Sequence, residues 1–101
     1  MCGIIGYIGK KNSLPVILEG LKRMEYRGYD SSGIALFDQG KLTVVKKQGK
    51  LGNLTAVLSG KEFNSTVGLG HIRWATHGEP TDQNAHPHVD CGHKFAIVHN
   101  G

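Results

Sequence analysis

Leu14, Ile17, Leu18 and Leu21 recur at i, i+3, i+4 and i+7, and Met24 follows one turn later. This period lines one face of a helix with apolar side chains, and such a face must be covered by a sheet or a second helix. Ser13 is placed to cap the first turn, Pro15 is tolerated there, and Gly28 lies just past the expected end. Glu19 and Arg23, four apart in the favourable order, add a few tenths of a kcal/mol. The covering layer is legible nearby. Cys2 to Ile8 reads as a short buried strand in which Gly3 and Gly6 leave room for close backbone approach.

Ile34 to Phe37 and Leu42 to Val45 flank Asp38-Gln39-Gly40, which is a hairpin signal. Leu54, Val57 and Leu58 suggest a second short helix closed by Gly60, and Thr66–Arg73 and Lys94–His99 read as further Val- and Ile-containing strands. Trp74 to Gly92 reads as a long polar loop, and loops of that length in a compact domain are usually functional or disordered. The expectation is a mixed α+β fold. The chain stops at Gly101, directly after the apolar run Phe95–Val98, so a domain truncated at its C-terminal end is expected over residues 1–101.

Composition narrows the function classes. With 101 residues the chain is one domain or part of one, and 39% apolar residues with a net charge of +4 argue against intrinsic disorder. No stretch approaches the ~20 apolar residues that cross a bilayer. The N-terminus has no secretory pattern, and two cysteines make no disulfide scaffold, so a reducing, cytoplasmic location is expected. Lys46, Lys47 and Lys50 have no interleaved aromatics, which reads as a solvated face and not a nucleic-acid site.

Four stretches could carry chemistry. Removal of Met1 would leave Cys2 with a thiol and a free α-amine on one residue. Unperturbed, these titrate near ~8.5 and ~7.7–8.0, so the amine can take the thiol proton directly or through a water. The other reading of Cys2 is a small buried apolar residue. In 70–80 a strand ends and delivers Arg73, Trp74, Thr76 and His77, a set suited to a small zwitterion, with guanidinium on carboxylate. An exposed loop anchored by a buried Trp fits equally well. His86, His88, Cys91 and His93 lack the usual paired spacing of zinc ligands, so this run reads as a polar loop whose histidines bond backbone groups. Asn100-Gly101 is either a turn or a pair of N–H donors for an oxyanion.

Met1-Cys-Gly-Ile4, Glu25-Tyr-Arg-Gly-Tyr-Asp-Ser-Ser-Gly33, His71-Ile-Arg-Trp-Ala-Thr-His-Gly-Glu-Pro80, Asn84-Ala-His-Pro-His88 and His99-Asn-Gly101 run in this order. Taken together they resemble the glutaminase domain of the class II glutamine amidotransferases, across essentially the whole chain. Tyr26–Asp30, Trp74 and Ala85–His88 resemble the sugar-phosphate-aminating members more than amidophosphoribosyltransferase, asparagine synthetase or glutamate synthase. The resemblance implies the N-terminal nucleophile hydrolase fold, an αββα sandwich of two stacked sheets between helix layers, of which only the N-terminal part is present.

It further implies that Cys2 attacks the side-chain amide of L-glutamine, with Asn100 and Gly101 as the oxyanion hole. Arg73, Thr76 and His77 would bind the substrate, Trp74 would belong to the closing loop, and Arg27 and Gly28 would orient Cys2. Ammonia would pass to fructose 6-phosphate in a further domain of a homo-oligomeric enzyme. No metal or other cofactor is implied. The acidic residue for the glutamine α-amine would lie beyond Gly101, so the 101-residue piece alone is expected to be inactive and, with open strand edges, poorly soluble. Another class II amidotransferase of the amidophosphoribosyltransferase type, and a non-catalytic truncated binding module, are the competing readings.

Overall fold

A computed structural model describes residues 3–25, 30–73, 85–92 and 94–99. The elements run β1 (Gly3–Ile8), α1 (Ser13–Met24), β2 (Ser31–Asp38), β3 (Lys41–Gln48), α2 (Leu51–Leu58), β4 (Ser65–Arg73), β5 (His88–Val89) and β6 (Ala96–Ile97). Four strands form an antiparallel sheet in the order β1-β4-β2-β3, and β5 pairs with β6 in a separate two-stranded ribbon. The architecture is α+β. No helix among the described residues is long and apolar enough to cross a membrane.

Register explains which side chains the helices cover. Ile5, Gly70, Ile34 and Val45 lie directly opposite one another across the four strands, as do Tyr7, Gly68, Leu36 and Thr43. Side chains alternate along a strand, so these rows share one face. Both helices lie there: Ile17 and Leu21 of α1 and Leu51, Leu54 and Leu58 of α2 join Ile34, Leu36 and Ile72 in one buried cluster. At Gly70 a Cβ would come within 2.6 Å of Ile17 Cγ2 and 3.0 Å of Ile5 Cγ2, so the missing side chain lets α1 lie close on the central strand.

The expected α1 stripe is present, with Leu14, Leu18 and Met24 packed around the buried Ile17 and Leu21. Its cap differs from the expectation. Asn12 accepts from the Leu14 backbone N–H at 3.2 Å, whereas Ser13 is wholly buried and donates to Ser65 Oγ at 3.1 Å. The helix ends at Met24, ahead of the Gly28 stop, and Gly28 lies outside the described residues. The β2–β3 hairpin turns through Gln39 and Gly40 at φ 50° and 78°, the positive pair of a tight two-residue turn, and both strands are longer than their apolar cores.

Three expectations need correction. β1 is an edge strand, not a buried one: Ile4 and Ile8 are 42% and 82% exposed because they point away from the helices. The polar stretch 74–92 contains β5, and the 94–99 strand shrinks to two residues, because this ribbon is defined by its partner and not by local pattern. Lys46 is not solvated; its Nζ donates to the Ala85 carbonyl at 2.9 Å.

Candidate active site

The site is assembled at one end of the sheet, where three strands meet. Gly3 opens β1 opposite Ile72, and Ser31 opens β2 opposite Arg73, the last residue of β4. The Asp30 backbone N–H donates to the Arg73 carbonyl at 2.8 Å, and the Gly49 N–H donates to the Asp30 carbonyl at 2.7 Å. His71, two residues before Arg73, holds the other end of the chain: its Nε2 lies 3.2 Å from the His99 carbonyl oxygen. Strand pairing and three further hydrogen bonds thereby tie these remote stretches of sequence together.

Of the candidate residues, Arg73 is described. It is 8% exposed and, by alternation, shares the face of His71 that looks away from the helices. Cys2, Arg27, Gly28, Trp74, Thr76, His77, Asn100 and Gly101 lie outside the described residues. Their described neighbours in the chain are the ones that converge: Gly3 is bonded to Cys2, Arg73 to Trp74 and His99 to Asn100, while Asp30 closes the 26–29 stretch.

Beside Arg73 stands a column of three imidazoles. The His86 ring stacks on His71 with centroids 4.3 Å apart and planes 27° from parallel, and His88 meets His86 at 4.3 Å with a 55° tilt. The column fits because Gly33 lies directly between His71 and Lys46 on this face; a Cβ there would overlap the His86 carbonyl. Burial, and then the nearby His71, His88, Arg73 and Lys46, push His86 down from 6.5 to about 4. Burial, with Lys46 and Arg73, also lowers His88. Both imidazoles are therefore neutral near pH 7.

For His86 and His88 this departs from the sequence reading, in which the histidines of the run bond backbone groups; His93 lies outside the described residues. His86 stacks on His71 and is tilted against His88, and His86 Nδ1 is buried with no hydrogen-bond partner among the described residues. Nor do the described residues group three His, Cys, Asp or Glu side chains in a way that could hold a metal ion. Cys91 is free and exposed at the turn of the β5–β6 ribbon. Sequence reasoning missed His71 and Lys46 as parts of this end of the sheet. The available signal was the i, i+2 spacing of His71 and Arg73, which puts both on one strand face.

The site can offer a buried guanidinium for a carboxylate, a set of neutral rings beside it, and main chain delivered from four directions. No family model matches the chain. Over 101 residues and the whole of the chain, it is 57% identical to the glutamine–fructose-6-phosphate aminotransferase [isomerizing] of Aquifex aeolicus. The enzymes of the same name from Symbiobacterium thermophilum and Pyrococcus horikoshii are 55% and 56% identical over the same length. In each case the chain spans 17% of the relative. Along its full length this chain thus matches the N-terminal segment of the glutamine–fructose-6-phosphate aminotransferases.

Proposed function

We propose that the chain is the N-terminal part of a class II glutaminase domain. The protein that carries it would release ammonia from L-glutamine for the amination of fructose 6-phosphate to glucosamine 6-phosphate. The observation that supports this most strongly is the convergence at one sheet end of Gly3, Asp30, Arg73 and His99, the described neighbours of the residues the chemistry needs. The name of the relatives that match all of the chain, glutamine–fructose-6-phosphate aminotransferase, supports the same reading.

In this mechanism the α-amine of Cys2, freed by loss of Met1, takes the thiol proton. The sulfur attacks the side-chain amide carbon of glutamine, and the resulting oxyanion accepts from the Asn100 side-chain N–H and the Gly101 backbone N–H. Collapse breaks the C–N bond, the amine proton leaves with ammonia, and a thioester remains. Water then hydrolyses it to glutamate and regenerates the thiol. Arg73 grips the substrate α-carboxylate with Thr76 and His77, Trp74 belongs to the closing loop, and Arg27 and Gly28 orient Cys2. The Arg73 guanidinium, already shielded from water, interacts more strongly with a carboxylate than an exposed one would.

The fold that goes with this chemistry is the αββα sandwich. Its support is the sheet face opposite the helices, where Ile4, Ile8, Phe37 and Val67 are 42%, 82%, 49% and 39% exposed. A second sheet, starting with the β5–β6 ribbon, would bury them. The decisive experiment is Cys2→Ser in the full-length protein, with ammonia release from glutamine as the readout. A loss to background is expected, and unchanged release overturns the covalent mechanism.

A further inference from the structure

The imidazole column is not used by the glutaminase chemistry, yet it connects three separate pieces of the chain. His71 is wholly buried in β4, the central strand between β1 and β2. One side of its ring is stacked on His86, two residues before the ribbon, and its Nε2 meets the His99 carbonyl, which follows the ribbon. A carbonyl oxygen only accepts, so Nε2 carries the proton and donates. The β5–β6 ribbon is therefore fastened to β4 at both its ends through a single side chain. Lys46, from β3, adds a third tie through the Ala85 carbonyl.

Resting on the glutaminase reading above, we infer that His71 is a positioning residue, assisted by His86: it fixes the main chain at His99 and so sets Asn100 and Gly101 relative to Arg73. His71 and Arg73 are two residues apart on the same strand, a spacing of about 6.6–6.8 Å along a rise of ~3.3–3.4 Å per residue. In glutamine three carbons separate the carboxylate from the amide carbon. Strand β4 then acts as a ruler between the group that grips the carboxylate and the post that holds the oxyanion donors. Such a ruler matters because oxyanion donors work only within a few tenths of an ångström of their place.

The charges that bear on His86 and His88 suit this role. They are Arg73 from β4, Lys46 from β3, and, for His86, the neighbouring rings of His71 and His88. Burial first, and then these groups, all cationic or becoming so on protonation, keep His86 and His88 neutral at neutral pH.

The test uses the full-length protein with three substitutions, measuring kcat and KM for ammonia release together with thermal melting. His71→Phe keeps a flat ring but removes the donor; kcat should fall about tenfold or more while KM for glutamine stays within about twofold, since the Arg73 grip is untouched. His71→Gln retains an N–H at the end of the side chain and should recover most of that loss. His86→Ala, which removes the stacked ring without touching the His71–His99 bond, should lower kcat in the same direction by less. Wild-type kcat in His71→Phe overturns the inference, as does an equal loss in His71→Phe and His71→Gln. If His71→Phe does not fold, an unchanged kcat in His86→Ala overturns it. A wild-type protein that releases no ammonia from glutamine fails the glutaminase reading itself and takes this inference with it, whereas an active wild type with unaffected variants fails the inference alone.

Discussion

The two faces of the four-stranded sheet are built on different physics. The helix-covered face carries the apolar core: Ile17, Leu21, Ile34, Leu36, Leu54 and Ile72 are at most 1% exposed, and glycine on the central strand lets α1 approach. The other face changes character along the strands. At one end it carries Ile8, Phe37 and Val67 open to solvent; at the other it carries His71, Arg73 and Lys46 beneath the segment 85–99. The first face supplies stability through area removed from water. The second holds polar groups in fixed relation, and its cohesion depends on protonation and on a few specific bonds.

The largest effect should come from the covered face. Ile17→Ala empties a wholly buried position and should cost about 2–5 kcal/mol in denaturant unfolding of the full-length protein. Phe37→Ala on the open face is the sharper comparison. With Phe37 half exposed, as in this chain, truncation costs clearly less than Ile17→Ala; under a second sheet it costs about 3–5 kcal/mol. A small cost in the full-length protein would count against the αββα sandwich.

Gly33→Ala attacks the polar end. The added methyl group collides with the His86 carbonyl and the Lys46 Cβ, so about 1–3 kcal/mol of stability should be lost. Amide exchange in 85–99 should speed up while that of α1 does not, and uniform protection would show that the ribbon docks independently of Gly33. The smallest effect concerns pH. The unfolded chain binds a proton at His86 near 6.5 and the folded one only near about 4, so stability is complete above pH 6.5 and declines as the pH falls towards 4. His86→Phe should flatten that decline without altering melting at pH 8. An unchanged slope would assign the acid sensitivity to other groups.

What was legible in the sequence was what is local. The stripe from Leu14 to Met24 and the Asp38-Gln39-Gly40 turn specify α1 and the β2–β3 hairpin through side chains a few positions apart. The β5–β6 ribbon was not legible, since two residues per strand leave no period to detect and only pairing defines them. The same distinction runs through the site. Arg73 was recognisable as the end of an apolar strand, but its company was not, because His71 and His86 meet through sheet packing across fifteen residues of sequence. The N-cap was misread for a simpler reason: Asn12 and Ser13 are adjacent capping residue types, and burial against Ser65 decided which of them turned inward.

The strand order β1-β4-β2-β3 also dictates a sequence of assembly. β2 and β3 can zip together as soon as both exist, through a two-residue turn, whereas among the described residues β1 pairs with β4 alone. The partners of Gly3 to Ile8 are Ile72 to Val67, so the first strand has no place in the sheet until about seventy residues have left the ribosome. Until then residues 3–8 lack the strand they pair with. On the glutaminase reading, a nascent chain that still lacks β4 therefore holds no assembled site that could react prematurely.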